Sequence, residues 1–403
     1  MPEFTFLPDF PLTGSPLMWF GVLLVAGVLG GELVAHWLRL PRIVGQVGVG
    51  VALGPFGLGL VNNELLDELS VFVDVSIGLV LFELGQRMHL GWFRRNPQLL
   101  AVGLAESAGA FALIYLWLTW IGVAAPLAAA AAAIGMATSP AVLLRVADDL
   151  KAQGQVTERA VLFTAMNSVL TFLVVTLLNA WLNYEYRAGG WLAALAHSLY
   201  LLAGSVLLAA AAAWLALQLN RWVERRAERQ YLVLVSMIVA TVGLALMLKL
   251  SVLLCLLTFG VLVKNMDRDH SVISLNFGLA GQIFFVILFV VAGASLEPLA
   301  LQTAGVMGLA YATARVVGKL IGVLALTPGS GIPLRKSVLL GVSLAPMSGV
   351  ALIMLRDTAR VMPEVSGLLG GAVPAAIVIL ELLGPVATHF ALKQAGEAGR
   401  EES

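Results

Sequence analysis

Long apolar runs separated by short polar junctions dominate the chain, and they recur about thirteen times. The runs centre on 16–37, 41–61, 68–86, 98–121, 124–145, 159–182, 191–218, 231–248, 251–264, 274–294, 301–326, 336–355 and 364–391. A helix needs about 20 apolar residues to cross the hydrocarbon core of a bilayer, and most of the runs reach that length. The run at 251–264 is short, and its place as a span rests on topology as much as on length. The pattern predicts an all-α polytopic membrane protein whose membrane domain covers 16–391. Segment 1–15 is then an external N-terminal segment and 392–403 a tail on the cytoplasmic side.

Charge gives the direction of threading. With the N-terminus outside, basic loops fall at alternate junctions. Of the 24 Lys and Arg, Arg187, Lys249, Arg356 and Arg360 fall outside, Arg315 and Lys319 inside a span, and the remaining 18 on the cytoplasmic side. Cytoplasmic loops are the ones enriched in Lys and Arg, so this asymmetry sets the orientation. The Arg-rich loop Arg221–Arg229 anchors that topology, and contact with anionic lipid is open to it. A content of 60% hydrophobic and 12% charged residues, with a mean hydropathy of +0.93, leaves too little polar surface for a soluble domain. A net charge of zero gives no electrostatic case for nucleic acid. The lone Cys255 sits in an apolar run and reads as a buried, inert thiol. Residues 1–15 are acidic and the first apolar run outlasts a signal sequence, so no cleaved leader is expected. The five His (His36, His89, His197, His270, His389) show no paired metal-ligand spacing, and no Gly-rich loop precedes Lys-Ser or Lys-Thr. No enzyme, cofactor or resident metal is therefore expected.

Two of the runs are interrupted by Pro and small polar residues: Gly135–Ala141 and Ser343–Gly349. They fall in the fifth and twelfth spans, an odd offset of seven, so the second copy enters the membrane from the opposite side. Spans one to six (16–182) and eight to thirteen (231–391) then form two inverted six-helix repeats, with 191–218 as a linker helix. Interrupted helices at matching positions of inverted halves point to a transporter's midplane site. Pro140 and Pro346, with Ser348, free backbone groups that need a partner, a water or an ion.

An ionisable residue near the bilayer centre is costly unless paired or hydrated, which makes each one a functional candidate. Glu32 and Glu83 lie near cytoplasmic ends beside Arg39 and Arg87 and read as interfacial pairs. Asp74 lies in the third span. Glu381 reads equally as structural or as lining a cavity. Glu106 is about nine residues into its helix, and the equivalent span of the second repeat carries Arg315 and Lys319, which share one helix face at i and i+4. Acid and base on equivalent helices are placed to meet near the centre, either as architecture or as an ion-binding and proton-binding unit.

Several of these stretches resemble the monovalent cation:proton antiporter superfamily, which includes sodium/hydrogen exchangers and glutathione-gated potassium efflux proteins. They are Leu40–Gly45 with Leu53-Gly54-Pro55, Ser76–Gly85, Ala137–Val142, Arg315–Lys319 and Leu382–Pro385. The resemblance covers about 16–392. It implies a homodimer in the inner membrane, a dimerisation domain, and a six-helix core with two crossed discontinuous helices that moves as an elevator. Monovalent cations and protons are the implied cargo.

One position departs from the family. Its antiporters usually carry an Asp, preceded by Asn, Asp or Gln, on the helix after the unwound segment. Here Asn167 fits the first position and Ser168 stands in place of the Asp. Ser139 likewise stands where sodium/hydrogen exchangers often have an Asp. A Ser hydroxyl coordinates ions but does not exchange protons near neutral pH. Three readings stay open. Carboxylate chemistry has moved to Glu106 or Asp74, with Thr138, Ser139, Asn167 and Ser168 as oxygen ligands; or helix N-termini with Arg315 or Lys319 favour an anion or organic acid; or the chain is a membrane sensor or partner subunit without transport.

Overall fold

The structure is a computed structural model and describes residues 15–91, 96–186, 191–223, 227–267, 278–296, 298–328, 331–347, 350–361 and 365–399. Most of segment 1–15, Arg187, His270, the middle of the 221–229 loop and Ser348 lie outside the described residues.

Fifteen α-helices account for the described secondary structure. They are α1 (Pro16–Leu33, extended by a π-helical turn Val34–Leu38), α2 (Arg42–Leu53), α3 (Asn63–Gln86), α4 (Pro97–Trp120), α5 (Ala125–Gly135), α6 (Pro140–Asp149), α7 (Gln155–Tyr186) and α8 (Trp191–Trp222). The rest are α9 (Ala227–Met247), α10 (Val252–Met266), α11 (Gly278–Ala294), α12 (Pro298–Ala325), α13 (Leu334–Ser343), α14 (Val350–Val361) and α15 (Val365–Gln394). Counting α5/α6 and α13/α14 as two interrupted helices gives thirteen, the number the apolar runs predict. Eight of these are long and apolar enough to cross a membrane; α2, α10 and part of α11 form shorter apolar helices.

Local signals explain where helices begin. Asn62 accepts the Leu65 amide at 2.9 Å to open α3, and Ser251 accepts that of Leu254 at 3.2 Å to open α10. Such caps satisfy amides that have no partner inside the helix. Pro stands in the first turn of α1, α4, α5 and α6, where its missing donor costs nothing.

The helices pack in two groups. In one, α12 lies along α4 and α15, with α5, α6, α7, α13 and α14 gathered on them. In the other, α2 packs on α1 and α11, and α3 packs on α10 and α11. Glycines set the closest approaches. A β-carbon on Gly50 would come 2.0 Å from the Val290 carbonyl oxygen, and one on Gly318 would come 2.5 Å from that of Gly109. The α2–α11 and α4–α12 contacts are thus backbone against backbone, the packing role that small residues serve in membranes. Cys255 is fully buried in the core.

Charged side chains knit one end of the bundle. Arg87 bonds Glu83 at 2.6 Å and reaches Asp148 at 3.4 Å. Glu32 pairs at 2.7 Å with Arg42 rather than with Arg39, because Arg39 takes the left-handed turn position (φ 53°) that re-aims the chain into α2.

At the same end the C-terminal residues fold back. Glu397 accepts hydrogen bonds from the Val156 amide (3.0 Å), the Thr157 amide (2.9 Å) and hydroxyl (3.0 Å), and the Lys336 ammonium (3.1 Å). It thereby caps α7 from 240 residues away. Gly154 (φ 155°) admits it, since a β-carbon there would lie 2.3 Å from the Glu397 carboxyl carbon. Burial raises this carboxyl, but the donors outweigh burial and hold it below the ordinary glutamate range. With a depressed folded value, the clasp stabilises fully above the unfolded carboxylate value of ~4.3 and its contribution is lost as pH falls through the folded one. Thermal unfolding of Glu397→Gln in detergent is expected to show a loss of about 1–3 kcal/mol at pH 7 that shrinks in acid. An equal loss at every pH would mean that the charge on Glu397 is immaterial.

Candidate functional site

Both interrupted helices end on unsatisfied carbonyls, and one side chain answers most of them. α5 stops at Gly135 and α6 resumes at Pro140; α13 stops at Ser343 and α14 resumes at Val350. Between them, the Ser139 amide donates to the Pro346 carbonyl at 3.2 Å, so the two breaks cross in direct contact. Arg315, fully buried on α12, sends Nε to the Gly135 oxygen (2.9 Å), Nη1 to that of Ala345, and Nη2 to those of Ala137 and Pro346 (3.0 Å). A planar fork of five donors suits this task as a single ammonium would not. Four residues earlier on the same face, Tyr311 donates its hydroxyl to the Ala131 oxygen at 2.7 Å.

One turn further along α12, Lys319 uses all three ammonium protons. It bonds Glu106 Oε1, the Met136 carbonyl (3.0 Å) and Thr138 Oγ1 (3.0 Å). Lys319 and Glu106 are both 0% exposed. The glycine contacts of α4 with α12 make the pair possible, because a side chain at Gly318 or Gly322 would hold the helices apart. The sequence placed this acid and these bases on equivalent helices, and the structure brings them together.

Asn167 and Ser168 part company. Asn167 is fully buried, donates Nδ2 to Thr138 Oγ1 at 3.2 Å, and accepts from Ser107, whose hydroxyl also lies 3.3 Å from Glu106 Oε2. Ser168 faces the other way, donates to the Thr164 carbonyl at 2.9 Å, and lines a cavity. Ser139 accepts the Val142 amide at 3.4 Å as the N-cap of α6. The break thus holds the α6 N-terminus, with its partial positive charge, beside Thr138 and Ser139.

The cavity measures about 500 Å³ and lies between the two helix groups. The α12 group contributes Thr138, Ser139, Ser168, Thr171 and Glu381; the other group contributes Asp74 of α3 and Phe289 of α11. Asp74 is half-buried, and neither Glu106 nor Asn167 is on the lining. Among the described residues no cluster of three His, Cys, Asp or Glu is arranged to hold a metal ion. Sequence reasoning gave no role to Ser107, Thr171 or Tyr311. Ser107 adjoins Glu106, and Tyr311 stands four residues before Arg315, a spacing that extends the polar face of α12.

Crossed broken helices braced by buried charge beside a cavity between two helix groups define the architecture of a secondary transporter. Across residues 21–387 the chain matches the family described as sodium/hydrogen exchanger, transmembrane, and it belongs to that family of membrane transporters. It is a multi-pass membrane protein and not an enzyme. It is similar to the sodium proton antiporter MjNhaP1 of Methanocaldococcus jannaschii, in a structure at pH 8, with a TM-score of 0.69 at 15% identity over 94% of this chain and 96% of that one. A second structure of that antiporter gives 0.67 at 16% identity, over 96% and 100%. These likenesses show the antiporter fold. Among curated relatives, the iron transporter MagA of Paramagnetospirillum magneticum is 31% identical over 74 residues, 18% of this chain and 16% of its own. The Na(+)/H(+) antiporter NhaS5 of Synechocystis is 29% identical over 86 residues, 21% of this chain and 12% of its own. The matched stretches thus span less than a fifth of either curated relative.

Proposed function

We propose that the protein exchanges a monovalent cation, sodium or potassium, for protons across the inner membrane. In this reading the α12-centred group moves as an elevator against the remainder, and the protein works as a homodimer in which each protomer joins the inverted repeats 16–182 and 231–391 through the linker helix 191–218. The basic-residue bias places the N-terminus and the α2–α3 connection outside, the C-terminal clasp in the cytoplasm, and the Asp74 cavity on the external side. The observation that carries the reading is the gathering of Thr138, Ser139 and Ser168 on one cavity wall, with Asn167 and Glu106 joined to Thr138 directly or through Lys319 behind it. Oxygen donors of this kind are what a hard cation takes in place of water. Pro140 and Pro346 keep the breaks open, and Arg315 and Lys319 neutralise the carbonyl ends and Glu106.

The same site favours a second reading, since Arg315 and Lys319 outnumber Glu106 and leave surplus positive charge for an anion or organic acid. Proteoliposomes with a pH-sensitive dye inside distinguish the two when sodium, potassium or lithium is added outside across a range of pH. Antiport gives a cation-dependent pH change; no response in well-folded protein overturns it. Ser168→Asp sharpens the distinction by adding a carboxylate to the wall. For a cation cargo the half-saturating concentration is expected to fall about tenfold, one 1.4 kcal/mol step, whereas for an anion the variant loses transport.

A further inference from the structure

Glu381 is the most conspicuous group around the cavity that the exchange scheme has not used. It sits in the middle of α15, is 4% exposed, and lines the cavity. Its Oε2 has no hydrogen-bond partner, and neither has the Thr171 hydroxyl on the same lining. A buried carboxylate without a partner is expensive if its only role is structural, and unmatched polar groups in a core call for an explanation. A ligand that enters the cavity supplies one. The elements packed on α15 carry charged groups, yet none forms an ion pair with Glu381 among the described residues. Arg315 and Lys319 on α12 are turned to the crossing. Arg145, Asp148 and Asp149 on α6, Arg42 on α2, and Arg335 and Lys336 on α13 belong to the cytoplasmic-end contacts. α5 carries no charged residue, and the side chains of Arg356, Asp357 and Arg360 on α14 lie outside the described residues. Asp74 shares the cavity.

We propose that Glu381 is the carboxylate that trades the transported cation for a proton, with Asp74 across the cavity and Ser139, Ser168 and Thr171 as hydroxyl ligands. The inference rests on the antiport reading and names the group that does the coupling. It also resolves the charge surplus. Glu106, Arg315 and Lys319 together carry one net positive charge. An ionised Glu381 cancels it, and an ionised Asp74 makes the site net negative, so a cation is attracted. Protonation of Glu381 returns the site to neutrality and releases the cation. At each turn the Glu381 O–H bond breaks, its proton passes to solvent in the cavity, and the carboxylate takes one cation. On the opposite side the cation leaves and a proton returns. One charge replaces another, so this residue alone gives one-for-one exchange. The Ser found at 168 is then a displacement of the acid from α7 to α15 across the same cavity.

Two measurements on the full chain test this. In detergent at weak buffering, sodium or potassium added to the wild type is expected to release roughly one proton per cation bound, by linkage. Glu381→Gln releases none, while Glu397→Gln, away from the cavity lining, still releases it. In proteoliposomes, Glu381→Gln is expected to lose at least about tenfold in cation-driven proton flux, equal to ~1.4 kcal/mol, and Glu381→Asp to retain flux with a shifted pH midpoint. Proton release and flux by Glu381→Gln equal to wild type, or an unmoved midpoint in Glu381→Asp, overturns the assignment to Glu381 while antiport stands. Should Glu381→Gln fail to fold, the Glu381→Asp midpoint alone decides. No proton release and no flux from the wild type with any cation overturns the antiport reading itself.

Discussion

Glu106→Gln is expected to abolish cation-driven proton flux and to cost about 3–5 kcal/mol of stability, the toll of leaving one member of a buried ion pair without its partner. The variant leaves Lys319 and Arg315 as two uncompensated cations in a dry core, which repels a cation from the cavity wall beside Thr138. A second substitution separates the two effects. Glu106→Met with Lys319→Met removes both charges, and replacing a whole buried pair by apolar groups is often nearly neutral. Its melting temperature in detergent should recover most of the loss. Its flux should not, because the Met136 carbonyl and Thr138 lose the Lys319 ammonium that orients them at the crossing. Normal exchange by Glu106→Gln in proteoliposomes would remove Glu106 from the mechanism.

Arg315→Met is the other substitution with a large effect. It takes the donor away from the carbonyls of Gly135, Ala137, Ala345 and Pro346 at once. Each buried acceptor left unmet costs about 1–3 kcal/mol, and water entering from the cavity recovers a part. A net loss of more than about 3 kcal/mol is expected. Arg315→Lys should fall between, because one ammonium cannot reach both helix ends. The check is thermal unfolding of purified protein, with transport read on whatever folds. Unfolding of Arg315→Met at the wild-type temperature would show that the broken helices hold each other without the guanidinium.

The large features were legible because membranes make them costly. The two Pro-bearing interruptions stand out against apolar runs, and the helices do stop at Gly135 and Ser343. The meeting of Glu106 with Lys319 was legible for the same reason, since isolated charge at that depth demands a partner. Rotation of one helix among its neighbours was less so. Asn167 and Ser168 are adjacent, yet one turns to the Thr138–Ser107 cluster and the other to the cavity. Sequence spacing gives both the same standing, and packing chooses between them. The partner of Glu32 was missed because the chain turns at Arg39 in a left-handed conformation that its flanks, Leu38 and Leu40, do not announce. Thr171 carries no signal of its own in an apolar helix, and only the cavity gives it significance.

The grip of Arg315 on Gly135 spans 180 residues of chain, and that separation orders events during synthesis. At about 5–20 residues per second, roughly 10–40 s pass between emergence of the first broken helix and of the guanidinium that satisfies it. The hydrocarbon interior offers no donors meanwhile. The nascent first half therefore waits with its break hydrated or shielded by insertion machinery, and it cannot reach its final shape alone. Maturation of the amino-terminal half is timed by the arrival of α12, so a ribosome stalled before Arg315 leaves a product with an open seam.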